Sequence, residues 1–142
     1  MKLQLLIPQY KETDELIKTL LDSIALQQRV DFDNIGAVIC NDGSGTFLTD
    51  GFLDGYPFEI QYHKEPHRGV SGTRNACLDH AEAEYVMFCD ADDMFVNNCG
   101  LYAVFLDIAE GFDSLYSVFI EEAKANGKSV FITHSNDATF IH

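Results

Sequence analysis

The sequence predicts an α/β domain built on a mostly parallel sheet with helices on both faces. Short apolar runs and amphipathic stretches follow one another as strand, helix, strand, strand, helix, strand, the order in which parallel crossover units read. The fourth run is apolar almost throughout, as in strands covered on both faces. Three of the runs pass straight into polar clusters, which in an open parallel sheet would meet at the carboxyl edge where ligands bind.

Taken in order, Leu3 to Ile7 is a short apolar strand. Thr13 is placed to cap the next helix, with Asp14 and Glu15 in the first turn, where the helix dipole favours anions. Ile17, Leu20, Leu21 and Ile24 then recur at helical spacing. Ile35 to Cys40 is the second strand, followed by the turn-rich NDGSG. Residues 46 to 57 read as a loop or a broken short helix. Phe58 to Tyr62 is the third strand. A second helix spans Val70 to Ala81, with Val70, Cys77 and Ala81 on one side. Tyr85 to Cys89 is the fourth strand. Leu101 to Ile108 is helical, and Gly111 stops it. Last, SLYSVFIEE and SVFITH flank Asn126-Gly127, a hairpin signal that adds an antiparallel edge at the C-terminal side.

The 142 residues, 46% of them hydrophobic, suit one domain with a real core. Acids outnumber Lys and Arg by 23 to 9, a net charge of −14, which disfavours nucleic acid and anionic lipid as partners. No apolar run approaches the ~20 residues of a membrane span. The opening MKLQLLIPQY is too short in its apolar part for a signal peptide. Cys40, Cys77, Cys89 and Cys99 show no CxxC and no zinc-like pairing, so reduced thiols and a cytoplasmic setting are expected.

The polar clusters are Pro8-Gln9-Tyr10, Asn41-Asp42-Gly43-Ser44 and Asp90-Ala91-Asp92-Asp93. Residues i and i+2 of an extended segment share a side, so Asp90 and Asp92 can face one ligand. Carboxylates that close repel one another, and a hard cation such as Mg²⁺ or Mn²⁺, shared with phosphate, removes the repulsion. A solvated acidic turn is the plain alternative. His63, Lys64, His67, Arg68 and Arg74 crowd one window at the start of the second helix, where free N–H groups and Arg74 suit an anion. A basic loop balancing nearby acids is the competing reading for His63, Lys64 and His67. Asp42 can accept from a base N–H or merely shape its turn. Tyr10 can stack on a flat ring or cover the sheet edge. Metal, diphosphate and base together describe a nucleotide-diphosphate donor. GxSxG, Walker-type and GxGxxG runs are absent.

LLIPQYKETDELIKTLLDSIALQ, VICNDGSGT and HRGVSGTRNACLDHAEAEYVMFCDADD together resemble family 2 glycosyltransferases, inverting enzymes of the Rossmann-like GT-A fold. The resemblance covers most of residues 3 to 95. It implies that Pro8, Tyr10 and Asp42 line the base pocket and that Arg74 lies near base and diphosphate. It places Asp90 on the ribose and metal side, and gives Asp92 the Mn²⁺ or Mg²⁺. Asp93 matches a frequent further acid. The family usually has two acids before Gly-Ser; here the first is Asn41.

The resemblance also implies that residues 1–142 are one nucleotide-sugar-binding domain, ending before the acceptor-binding half. The expected donor is a nucleotide-diphosphate sugar, UDP-linked by preference. The acceptor is an unnamed glycan or lipid-linked molecule, as in polysaccharide biosynthesis, at a cytoplasmic site that can be peripheral to the membrane. No residue stands out as the general base; Glu121 and Glu122 read as hairpin residues. Two other readings stand beside this one. The first is a module that binds the nucleotide-sugar without transferring it. The second is a dehalogenase-type phosphatase, whose DxD normally follows the first strand rather than the fourth.

Overall fold

The structure, a computed structural model, describes residues 1–110 and 131–134. Five strands are described: β1 (Leu3–Gln9), β2 (Ile35–Asp42), β3 (Glu59–Glu65), β4 (Tyr85–Phe88) and β5 (Phe131–His134). The helices are α1 (Asp14–Ala25), α2 (Gly69–His80) and α3 (Gly100–Glu110), with a 3-10 turn at Phe32–Asn34. The strands lie in the order β3-β2-β1-β4-β5. β1 to β4 are mutually parallel, and β5 runs antiparallel on β4, with Phe88 opposite Phe131. The expected antiparallel edge is therefore present as β5. The Asn126-Gly127 turn, the rest of the hairpin and Gly111 lie outside the described residues.

Strand alternation sorts the core into two layers. Leu3, Leu5 and Ile7 of β1 and Ile35, Ala37 and Ile39 of β2 pack against Ile17, Leu20, Leu21 and Ile24 of α1 and Leu101 and Val104 of α3. On the other face Leu6, Val38, Val86 and Phe88 meet Ala76 and Cys77 of α2. Helices thus cover both faces, as the sequence predicts. Gln4, buried on the α2 face, accepts from the backbone N–H groups of Glu82 (2.6 Å) and Ala83 (2.8 Å), and so fixes the entry to β4.

Several local expectations differ from the structure. Thr13 occupies the cap position of α1, but its hydroxyl makes no capping bond. Asp14, the first residue of α1, instead accepts from both the backbone and the hydroxyl of Thr49, tying the helix start to the long loop after β2. Val70 is 57% exposed rather than packed beside Cys77, because the first turn of α2 overhangs the carboxyl edge of the sheet. β1, β2 and β3 also run two or three residues further toward that edge than their apolar cores suggest.

Candidate functional site

β1 and β4 pair only from Leu3 to Leu6, and the Cys89 N–H reaches the Leu6 carbonyl at 2.9 Å as the last rung. β1 continues to Gln9 beside β2, while β4 stops at Phe88. A crevice therefore opens between these neighbours, where the strand order reverses: β2 and β3 lie to one side of β1, and β4 to the other. Such a switch point is where open α/β sheets bind ligands. Pro8 fits there because its backbone faces the same side as that of Leu6, toward the crevice rather than toward β2. Its missing N–H therefore costs no ladder bond.

A cavity of about 300 Å³ occupies this position. Pro8, Tyr10, Asp42, Asp90 and Asp92 all line it, together with Gln9, His67 and the start of α2 at Gly69, Val70 and Thr73. Five of the six residues singled out from the sequence thus share one wall-to-wall space. The sixth, Arg74, sits at its margin, with Nη2 3.4 Å from Asp90 Oδ1.

Asp42 is buried at the end of β2, rather than in an open turn. Its Oδ1 accepts from the Arg68 backbone N–H at 2.7 Å, and its Oδ2 lies 3.2 Å from His67 Nδ1. The carboxylate therefore holds the 66–68 loop against the strand. Gly43 makes that approach possible: its φ is +64°, and a Cβ there would lie 2.5 Å from the His67 nitrogen. His67 in turn packs on Tyr10, with ring centroids 5.3 Å apart.

Residues 90–93 are a turn, not an extended segment, closed by the Asp93 N–H on the Asp90 carbonyl at 3.0 Å. Ala91 is buried, while Asp90 and Asp92 are exposed and Asp93 is half-buried. Carboxylate oxygens of Asp90, Asp92 and Asp93 lie within 4.8 Å of one another. The three acids thus converge because the chain turns, not because a strand alternates. This hard-oxygen set, open to solvent on one side, fits Mg²⁺ or Mn²⁺. Cys89 lies just before it as a buried thiol pushed up to about 12, by burial first and then by Asp93 and Asp90.

The basic window divides. His67 enters the cavity and Arg74 meets Asp90, whereas Lys64 lies 4.2 Å over the Phe47 ring. His63 stacks on His80, with ring centroids 3.5 Å apart, and Arg68 Nη2 is 3.9 Å from Glu65.

Gln9 and Asn41 shape the site without a marked signal in the sequence. Asn41 faces away from the cavity and is fully buried. Its amide donates to Gln9 Oε1 at 3.1 Å and to the Thr46 carbonyl at 2.9 Å, and the Ser44 N–H donates back to it at 3.2 Å. Gln9 also accepts from the Tyr62 hydroxyl at 3.0 Å and donates to the Glu12 carbonyl at 2.7 Å. This network shapes the loops on either side of the cavity floor. A Gln and an Asn at strand ends, each flanked by loop residues, are the only hint the sequence carries.

Fold and cleft together define an α/β domain wound on both sides of a parallel sheet, with an acidic cleft at its switch point. The chain belongs to glycosyl transferase family 2, whose profile matches residues 5–134. The minor teichoic acid biosynthesis protein GgaB of Bacillus subtilis (strain 168) is 34% identical over 83 residues, 56% of this chain and 9% of GgaB. Among solved structures, S. aureus TarS 1-349 in complex with UDP matches with a TM-score of 0.66 and 27% identity, over 78% of this chain and 32% of that one. The mannosyltransferase PcManGT from Pyrobaculum calidifontis, in complex with GDP-Man and Mn²⁺, matches with a TM-score of 0.61 and 26% identity, over 72% of this chain and 31% of that one. The chain spans about a tenth of GgaB and about a third of the two solved chains. The fold is that of the GT-A glycosyltransferases. No described helix is long and apolar enough to cross a membrane.

Proposed function

We propose that residues 1–142 form the donor-binding domain of a glycosyltransferase that takes the sugar of a nucleotide diphosphate, UDP-linked by preference, and transfers it with inversion. The observation that carries this reading is the meeting of Pro8, Tyr10, Asp42, Asp90 and Asp92 in one cavity at the switch point, bordered by Arg74. The UDP complex of TarS and the GDP-Man complex of PcManGT support it as relatives of the same fold.

In this reading Pro8 and Tyr10 flank the base, and Asp42 accepts from a base N–H. The carboxylate is already held in place by the Arg68 N–H, so little ordering is needed on binding. Val70 and Gly69 present the N-terminal turn of α2 to the diphosphate, with Arg74 adding charge at the same end. Asp90 faces the ribose, while Asp92, with Asp90 and Asp93 beside it, holds Mn²⁺ or Mg²⁺. Such an ion, when bound, supplies Lewis-acid stabilisation of charge on the departing nucleoside diphosphate. Inversion requires a base on the acceptor hydroxyl, and none of the residues in the cavity is assigned to that task. The acceptor is a glycan or a lipid-linked molecule of the kind used in polysaccharide assembly. The proposed place of work is cytoplasmic or peripheral to a membrane, and four free thiols support a reducing setting.

Calorimetric titration with UDP, with and without Mn²⁺, tests the reading. Metal-dependent binding that Asp92→Ala weakens by at least ~100-fold is the expected result. UDP binding that ignores both the metal and Asp92 would remove the acidic turn from the donor site.

A further inference from the structure

On the α2 face, a second group of metal-binding side chains gathers away from the acidic turn. β2 and β3 pair in parallel with Cys40 opposite His63 and Asp42 opposite Glu65, so alternation turns Cys40, His63 and Glu65 toward α2. α2 returns Cys77 and His80, three residues apart and so on one side of the helix. Cys40 Sγ, a Glu65 carboxylate oxygen and a His80 ring nitrogen lie within 4.8 Å of one another, and Cys40 is fully buried. His80 Nε2 already sits 2.9 Å from Glu65 Oε1. The His63 ring stacks on that of His80, with 3° between the ring planes, and backs it from one side. Cys77 packs beside Cys40 in the same small core, with Sγ directed to the Val38 carbonyl at 3.8 Å.

We propose that Cys40, Glu65 and His80 bind a divalent cation of the zinc class, at a site that shares no residue with the acidic turn. The donor set decides the class. One thiolate, one imidazole and one carboxylate suit a borderline-soft ion, whereas an all-oxygen cluster suits Mg²⁺ or Mn²⁺. Charge also balances: thiolate and carboxylate supply two negative charges to a divalent ion, with the imidazole neutral. Bond lengths of about 2.0–2.3 Å place ligand atoms of a tetrahedral shell about 3.3–3.8 Å apart. Atoms that all lie within 4.8 Å of one another close on an ion with shifts of no more than about 1.5 Å, and the Glu65–His80 hydrogen bond is replaced by bonds to the metal. Three protein ligands leave the fourth position to water.

The ion would pin the end of β3 and the C-terminal end of α2 to β2. Asp42 follows Cys40 by two residues and His67 follows Glu65 by two, so the same anchor braces the loop that forms one wall of the cavity. This inference does not depend on the identity of the nucleotide.

The test uses the full 142-residue chain carrying Asp90→Asn and Asp92→Asn, so that the acidic turn no longer competes. After chelation, it is titrated with Zn²⁺ by calorimetry and with Co²⁺ by absorption spectroscopy. One equivalent is expected, with a thiolate-to-cobalt charge-transfer band. Loss of an outer hydrogen-bond partner typically costs 10–100-fold in metal affinity. Removing a ligand by His80→Asn or Glu65→Gln is expected to weaken Zn²⁺ binding by at least ~10–100-fold, and Cys40→Ser is expected to abolish the band. His80 and Glu65 are half-buried, so their variants stay informative if Cys40→Ser unfolds; far-UV circular dichroism checks each one. Absence of the band, or Zn²⁺ affinity unchanged within about twofold in His80→Asn, would show that the cluster is only an ion pair beside a buried thiol.

Discussion

The two faces of the sheet divide the labour of this domain. On the α1 side, alternate residues of β1 and β2 meet two helices in an apolar layer whose polar groups pair among themselves at its rim, as Gln9, Asn41 and Tyr62 do. On the α2 side the apolar layer is small, and toward the carboxyl edge it passes from Cys40, its last member, to Asp42, Glu65, His67 and His80. The first face holds the larger of the two buried apolar clusters, so its burial is the larger hydrophobic contribution to folding. The second gives up packing for groups that can bind. The physical basis is strand alternation: one strand can feed a dry core with its odd residues and a reactive edge with its even ones.

The largest effect is expected from cutting into the dry face. Leu21 is fully buried against the sheet, and Leu21→Ala should cost ~2–5 kcal/mol in urea unfolding. Nucleotide affinity per folded molecule should not change. A shift in affinity of tenfold or more would mean that the two faces are not separate.

A smaller effect with the opposite signature is expected at Gly43. Its positive φ and the 2.5 Å approach to His67 leave no room for a side chain. Gly43→Ala should lower stability by ~1–3 kcal/mol. Because it displaces the 66–68 loop, it should also weaken UDP binding, which the same calorimetric titration reads. Unchanged binding would detach that loop from the proposed donor site.

The smallest effect lies at the rim of the α1 side. The Tyr56 hydroxyl donates to Asp22 at 2.8 Å, so Tyr56→Phe should cost ~0.5–1.5 kcal/mol. Lys18 first, and then Tyr56, hold the Asp22 carboxyl below its ordinary 3.8. A carboxylate lowered on folding stabilises the folded state above its unfolded pKa, and the contribution disappears as pH falls through the folded value. The difference between wild type and Tyr56→Phe should therefore be full at neutral pH and shrink below about pH 4, as read by urea unfolding across pH. A difference that grows with acid would reverse the assignment.

Much of this arrangement was legible in the residues. Apolar runs marked the strands, helical spacing marked α1, and polar clusters after three runs marked the edge where the cavity lies. The misses have physical causes. Helical spacing puts Val70 on one side with Cys77, but spacing cannot show that the first turn of a helix projects past the sheet. Extended geometry pairs Asp90 with Asp92, and the turn at residues 90–93 achieves the same convergence while adding Asp93. Asn41, which stands where the family usually has an acid, points to the opposite face from Asp42, because adjacent strand residues always do.

The sequence by itself determined which residues of each element share a side, since periods of 2 and 3.6 are properties of the local backbone. It also determined the overall α/β pattern and the acidic run that follows the fourth strand. Only the tertiary structure decided which elements became neighbours. Arg74 meets Asp90 because α2 leads into β4, and Cys40, Glu65 and His80 meet because β2 lies between β1 and β3 with α2 across them. Strand order and register set distances between segments far apart in the chain, and no local periodicity encodes them.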